Sequence, residues 1–302
     1  MKYKLIYFSI GDWGANPSQD NCAKYVSNTM SYYYPYLSPS PNFTVSLGDN
    51  FYDKGVSDIH DNIWDTNWFS VFIRPFYSLQ NMRWFSILGN HDYYGGMASV
   101  DAQVEMTKYS KNWEMPDKDF YSYDEESSSY HIFIDTIKIY PELYDETRKL
   151  YNEADVEDSL INLENKLIHA KKLKVQWIFV YGHYQLFSNG YYGNYNVMIQ
   201  RLLPLLRKYK VSVYFSGHEH NFQFLKYDNI YFCVNGAGAF KSQVHYYNSN
   251  IEVNTIYRNN NNGFLIHKLN DKYLNLQFVN INNVVEFDYL IPHPGLEPGP
   301  PR

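Results

Sequence analysis

Cysteine is nearly absent: Cys22 and Cys233 are the only two in 302 residues. Two cysteines so far apart make no disulfide framework, and no CxxC spacing exists to hold zinc or an iron–sulfur cluster. Such sparse use fits a reducing compartment, or a secreted chain large enough to do without staples. Positive charge is also in deficit. Lys and Arg number 26 against 32 Asp and Glu, a formal net charge of -6 with no basic run. A nucleic-acid partner, held by Lys and Arg along its phosphates, is therefore not expected. If the protein handles phosphate, the positive charge must come from elsewhere than its surface. No hydrophobic run has the length of a membrane span, so no transmembrane segment is expected. The short apolar start "MKYKLIYFSI" lacks a signal-peptide cleavage site and reads as a strand.

Apolar and aromatic residues are plentiful: hydrophobic residues make up 45% of the chain, with 32 Tyr among them. Strand-length runs recur at "KLIYFSI", "FTVSL", "WFSIL", "YHIFID", "VQWIFVY", "VSVYFS", "IYFCVNGA", "GFLIHKL" and "YLNLQFVNI". Most are continuous rather than alternating, the pattern of strands buried on both faces in a layered α/β fold. Helical periodicity lies between several of them. In "EDSLINLENKLIHAKKL", Leu160, Leu163, Leu167 and Ile168 share a face, with lysines at the C-terminal end. "NVMIQRLLPLLRKY" is a weaker helix, because Pro204 is expected to kink it or limit its length. One domain is expected over residues 1–290, followed by a Pro/Gly-rich disordered tail at 291–302. The charged, poorly periodic stretch 138–157 reads as a surface excursion.

Five of the strands end alike, in an apolar run, a glycine and then polar residues able to bind metal. "SIGDWG" supplies Asp12, and "SLGDNFY" supplies Asp49 and Tyr52. "ILGNHD" supplies Asn90, His91 and Asp92, "VYGHY" supplies His183, and "FSGHEH" supplies His218 and His220. Each piece alone is ordinary turn chemistry. Together, at the carboxyl ends where α/β sheets bind ligands, they point to metal. Asp12, Asp49, Tyr52, Asn90, His183, His218 and His220 are too many ligands for one tetrahedral zinc and suit two ions sharing a carboxylate. His91 follows a ligand directly and is expected to face the substrate, with Asp92 orienting its imidazole. His60, His131, His169, His245, His267 and His293 lack this context and are expected on the surface or in the core.

The motifs "GDWG", "GDNFY", "GNHD", "GHY" and "GHEH" resemble, in order, those of the purple acid phosphatases, a branch of the calcineurin-like metallophosphoesterases. The tartrate-resistant type is the nearest likeness, extending through "GDNFYDKGVSDI", "FIDT" and "GHEHNFQFL". The resemblance implies a four-layer α/β/β/α sandwich with two mixed β-sheets. It also implies an acid phosphatase that cleaves phosphomonoesters by attack of a metal-bound hydroxide. Tyr52 would bind Fe(III) as a phenolate with Asp12 and His220. Asn90, His183 and His218 would hold a divalent ion (Fe(II), Zn or Mn), and Asp49 would bridge the two. Asn90 and His91 would contact the phosphate. Five metal charges less three from Asp12, Asp49 and Tyr52 leave about +2, which supplies the missing positive charge. Gly14 stands where other metallophosphoesterases carry a histidine ligand, so losing that ligand accompanies the gain of Tyr52.

The sequence departs from that family's pattern in "GHYQLFSNGYYG", which puts Tyr191 and Tyr192 where the small mammalian-type enzymes have an acidic residue and a histidine near the substrate. A phenol is a poorer acid than imidazole, so leaving-group protonation is left to His91 and an altered pH profile and substrate preference are expected. The family implies a small phosphoester or phosphoprotein substrate and a secreted or lysosomal location, although no signal peptide is visible; a monomer is expected. Two alternatives remain: a phosphodiesterase or phosphoprotein phosphatase of the same superfamily, and a catalytically weak scaffold on this fold.

Overall fold

The computed structural model describes residues 2–16, 22–240 and 253–293. Among them the strands are β1 (Leu5–Ile10), β2 (Phe43–Ser46), β3 (Arg83–Ser86), β4 (Trp113–Glu114), β5 (Phe120–Asp124), β6 (Ser129–Phe133) and β7 (Trp177–Tyr181). They continue with β8 (Val213–Ser216), β9 (Phe222–Tyr227), β10 (Ile230–Asn235), β11 (Asn254–Asn259), β12 (Gly263–Leu269), β13 (Tyr273–Asn280) and β14 (Val285–Pro292). The helices are α1 (Cys22–Tyr33), α2 (Asn90–Tyr93), α3 (Met97–Met106), α4 (Thr136–Ile139), α5 (Glu153–Lys172) and α6 (Asn196–Lys208). A wider-turned helix spans Trp64–Ile73, closed by Arg74 N–H donating to the Phe69 carbonyl.

One sheet runs β14-β13-β12-β1-β2-β3-β4 and the other β11-β9-β10-β8-β7-β6-β5. Both are mixed: β1, β2, β3 and β4 pair in parallel, as do β6, β7, β8 and β10, and the remaining neighbours are antiparallel. The sheets face one another through aromatic side chains. Phe85 meets Phe133 with ring centroids 5.4 Å apart, and Phe222 stacks on Phe278 at 4.3 Å. On the outer faces, α1 packs on β12 and β13 and against the 64–73 helix, while α5 packs on β6 and against α6. The result is the four-layer α/β/β/α sandwich.

Every strand read from the sequence is present, and the ones not read are informative. β9 was not read although it is central and largely buried, and the others, β4, β5, β11 and β14, are the four sheet edges. Three of them alternate or stay half-exposed instead of being buried throughout, so they lack a continuous apolar run. α6 corrects the expectation at Pro204. The helix continues through it to Lys208, with Pro204 on the exposed side and Met198, Leu202, Leu203 and Leu206 buried. The packed face outweighs the single lost hydrogen bond. α5 starts with a capping box: the Asn152 side chain accepts from Ala154 and Asp155 N–H, and Asp155 accepts from Asn152 N–H. Such a cap stabilises by about 1 kcal/mol.

The stretch 138–157 is more than a surface excursion. It holds the end of α4, a turn and the start of α5, and it is clamped by Arg201. That guanidinium donates to the Ile139 carbonyl at 2.6 Å and pairs with Glu142 and Glu153 at 3.1 and 3.4 Å. The expected tail at 291–302 is corrected at its start, where Ile291 and Pro292 end β14; beyond His293 it lies outside the described residues, as does His245.

An aromatic cluster backs the loops that follow β1 and β2. Trp13, Phe51, Trp64, Trp68, Phe72, Trp84 and Trp113 are all buried, in edge-to-face contacts with centroids 4.6 to 6.2 Å apart. Each such ring stabilises by roughly 1.5–3 kcal/mol through burial. The cluster locks the two motifs that supply Asp12 and Asp49 against each other. The Trp13 indole N–H donates to Ser46 Oγ at 2.7 Å, across the same gap.

Candidate metal centre

Parallel pairing gathers the site. β1, β2 and β3 are in register, Ile10 opposite Ser46 and Ser46 opposite Ser86. In the facing sheet β7 and β8 do the same, Tyr181 opposite Phe215. The five loops that leave these strand ends therefore start at one edge of the sandwich, and their side chains converge there. Asp12, Asp49 and His218 take left-handed backbone, with φ of 56°, 52° and 69°. Asp and His tolerate this region better than most residues, and the strain stays where the chain must turn at once. Glycine is needed at two neighbours. A Cβ at Gly48, with φ of 90°, would lie 2.6 Å from His183 Nδ1. A Cβ at Gly14 would lie 2.0 Å from the Asn50 carbonyl, so no side chain fits at this position.

Two trios of potential ligands form, Asp12–Asp49–His220 and Asp49–His183–His218, each with its ligand atoms within 4.8 Å of one another. Asp49 belongs to both. The Tyr52 hydroxyl joins the first trio, 3.1 Å from Asp12 Oδ1, 2.9 Å from Asp49 Oδ2 and 3.2 Å from His220 Nε2. Asn90 joins the second, its Oδ1 3.2 Å from His183 Nε2. All seven expected ligands thus meet in one cluster, buried except for the partly exposed His220.

The proton arrangement leaves lone pairs facing inward. His183 Nδ1 donates to the Leu47 carbonyl at 2.8 Å, so Nε2 is the free acceptor of the neutral ring. That nitrogen lies 3.2 Å from His218 Nδ1, 3.2 Å from Asn90 Oδ1 and 3.5 Å from Asp49 Oδ2. His218 Nε2 meets the hydroxyls of Tyr195 at 2.9 Å and Tyr144 at 3.1 Å, which fixes its Nδ1 toward the cluster. The Asn90 amide nitrogen donates to Tyr94 Oη at 2.7 Å, turning its oxygen inward. Four acceptors at such range, with at most one proton to share, repel unless a cation sits between them. The residues present fit metal ions.

The titration behaviour agrees. Burial lowers the His183 pKa, but the charge of Asp49 dominates and pushes it up to about 9. Burial raises Asp49, against which the charge of His183 holds it well below the carboxylate range. The charge of Asp49 thus favours a cation at this position, a proton on His183 or a metal ion. Burial, then the charges of Asp12 and Asp49, raise Tyr52 well above an ordinary phenol, so only a strong positive charge strips its proton.

The remaining expected site residues divide. His91 lies at the cluster, its ring 4.2 Å from that of Tyr52, and its backbone N–H donates to Asp49 Oδ1 at 2.9 Å. Its Nδ1 donates to the Asp53 carbonyl at 2.8 Å, which leaves Nε2 outward. Asp92 does not orient this ring. Its buried carboxylate accepts from the backbone N–H of Gly89 at 2.8 Å, Asn50 at 3.1 Å and Phe51 at 3.2 Å, and from Gln103 Nε2 at 3.0 Å. It ties the loop of Asp49 to the loop of Asn90. Burial, then the charge of Asp49, raise its pKa to about 7 against those donors. Tyr192 stacks on His218 at 4.4 Å, while Tyr191 is 62% exposed and 5.2 Å from the Tyr192 ring.

Tyr94, Tyr144, Tyr195 and Glu219 were not legible in the sequence. Three are tyrosines among 32, with no spacing to mark them. Glu219 carries a faint signal, lying between the two histidines of "GHEH". It is buried, and it accepts the backbone N–H of Tyr191 at 3.1 Å and of Tyr192 at 2.6 Å, so it fixes the loop beside His218. Of the other histidines, His60, His131, His169, His267 and His293 stay out of the cluster, as expected.

Comparison with known proteins follows the same line. The calcineurin-like phosphoesterase family model matches residues 9–222. The chain is 32% identical over 246 residues to tartrate-resistant acid phosphatase type 5 of Sus scrofa, covering 78% of this chain and 70% of that protein. It is 30% identical to purple acid phosphatase 7 of Arabidopsis thaliana, covering 78% and 70%. Among solved structures, GAP50, the anchor in the inner membrane complex of Plasmodium, superposes with a TM-score of 0.82. That likeness covers 97% of this chain and 90% of GAP50 at 22% identity, and it speaks to fold alone.

Proposed function

The chain belongs to the calcineurin-like phosphoesterase family, in its purple acid phosphatase branch, and from that premise we propose that it is a binuclear-metal acid phosphatase acting on phosphomonoesters. One observation carries the reading: two ligand trios share a single carboxylate, Asp49, at the ends of five strands. Asp12, Tyr52 and His220 would hold Fe(III), whose hardness suits carboxylate and phenolate; Asn90, His183 and His218 would hold a divalent Fe, Zn or Mn ion. When bound, the pair supplies a nucleophile from water at low pH and neutralises charge on the phosphoryl oxygens.

The chain's own residues do the rest. Asp49 spaces the two positions, because one carboxylate serves both trios. Leu47, Tyr94, Tyr144 and Tyr195 hold His183, Asn90 and His218 in their inward orientation, so little reorganisation accompanies reaction. His91 presents Nε2 to the leaving oxygen with Nδ1 anchored on Asp53. Tyr192, stacked on His218, and Tyr191 beside it line the approach to the leaving group. Neither offers an imidazole or carboxylate, so proton delivery falls to His91.

Metal analysis of native protein, with a visible spectrum and an aryl phosphate assay, tests this. Two metals per chain, a visible band lost in Tyr52→Phe, and hydrolysis favouring monoesters over diesters are the expected results. Preference for a bis-aryl phosphate would move the reading to a phosphodiesterase. Protein isolated without metal and inactive after reconstitution would favour a scaffold.

A further inference from the structure

The end of the sandwich away from the metal centre gathers positive charge, although the chain as a whole is acidic at -6. The site loops leave the carboxyl end of β8, whereas Val211 and Ser212 lead into its amino end. There a cleft of about 770 Å³ opens between the end of α6, the β9–β10 turn and the end of β14. Arg207, Lys210 and Lys226 line it, and Asp228 is its acidic lining residue. Arg207 is already engaged, ion-paired with Asp228 and lying over the Tyr227 ring at 5.3 Å. Lys210 and Lys226 have no carboxylate within ion-pair distance among the described residues. Lys171 adds to the excess: burial, then the charge of Lys210, lower its pKa. Beneath these cations the floor is apolar, formed by the buried Val211, Ile230 and Ile291.

Lys226 lies over the Tyr231 ring at 4.9 Å; ammonium groups without a carboxylate partner, set around an apolar floor, are screened less than in open water, and a bound anion offsets their charge. The chemistry favours a tetrahedral oxyanion over a carboxylate. Lys210 and Lys226 are point charges on flexible stems, and Asn229 adds an amide. The planar fork that grips carboxylates is the guanidinium of Arg207, and Asp228 occupies it. We propose that this cleft is a second anion-binding site, for a compact phosphate group carrying two negative charges, separate from the metal centre. That phosphate is carried by a soluble molecule or by a lipid headgroup, and the two sources separate by experiment.

The soluble arm is calorimetric titration of the metal-loaded protein with methylenebisphosphonate, a pyrophosphate mimic that phosphatases do not cleave. Two binding phases are expected, one of which weakens at least about tenfold in Lys210→Glu/Lys226→Glu and is lost progressively with added salt. Aryl phosphate hydrolysis by the variant is expected to match the unaltered protein, which also shows that it is folded. Lys210→Ala/Lys226→Ala gives the same test with less perturbation. The lipid arm is flotation with phosphatidylcholine vesicles, with and without phosphatidic acid. Retention that needs phosphatidic acid and both lysines assigns the lipid source, and titration without retention assigns the soluble one. No lysine-dependent binding phase together with no retention, or binding that survives both lysine variants, overturns the site. Because the readouts are binding, they hold whether or not the metal centre proves to be a phosphatase.

Discussion

Two imidazoles buried between the sheets, His131 and His267, lower the stability of this fold in acid. His131 lies between the hydroxyls of Ser129 and Tyr181, each 2.9 Å away, and Tyr181 passes the chain on to Tyr7 at 2.9 Å. His267 meets Ser9 Oγ at 2.7 Å through Nε2, whereas its Nδ1 has no partner. A proton there would bury both a charge and an unsatisfied N–H. Burial lowers the His131 pKa to about 3, and burial with the charge of His131 holds His267 well below its ordinary value. In the unfolded chain both titrate near 6.5. Between these values the unfolded state binds protons that the folded state refuses, so stability falls as pH falls below about 6.5. At pH 5 the loss from His131 alone is about 2 kcal/mol relative to neutral pH, and His267 adds in the same direction. That is a sizeable share of a total that is commonly about 5–15 kcal/mol. The assay is urea unfolding at pH 7 and pH 5 of the unaltered protein and His131→Gln, whose amide bonds both hydroxyls and cannot be charged. Effects common to both proteins, including metal release, cancel in the difference. The variant should lose about 2 kcal/mol less between the two pH values. Equal losses in the two proteins would refute the argument from burial.

Three further outcomes are expected. Asp92→Asn trades one acceptor oxygen for a donor that faces backbone N–H groups, and should cost roughly 2–3 kcal/mol in thermal or chemical unfolding. It should also lower metal content, because the loops of Asp49 and Asn90 lose their tie. Tyr195→Phe should be mild while Tyr144 remains to hold His218 Nε2, but Tyr144→Phe/Tyr195→Phe should weaken divalent-metal affinity by about 10–100-fold, measured by equilibrium dialysis. Because metal must displace the proton from His183, whose pKa is pushed up to about 9 in the metal-free protein, affinity should rise about tenfold per pH unit below that value and level off above it. Competition against a chelator across pH reads this directly, and a flat profile would count against His183 as a ligand.

The sequence alone determined most of the central strands, β9 excepted, and which residues reach their carboxyl ends. Both signals are local: a continuous apolar run marks a strand covered on two faces, and a glycine followed by Asp, Asn or His marks a sharp turn with a ligand at its tip. It did not reveal the edge strands, whose half-exposed faces leave a broken pattern, nor the run of α6 through Pro204, which rests on packing. The tertiary structure alone decided the roles of groups distant in sequence. Asp92 adjoins His91 in the chain yet binds backbone on the far side of it, because consecutive residues of a helical turn point in different directions. Tyr144 and Tyr195 look like any other tyrosines until the fold brings both hydroxyls to one nitrogen of His218. Scattered lysines likewise become a basic cleft only when helix, hairpin and edge strand end side by side, since charge acts through space and not along the chain.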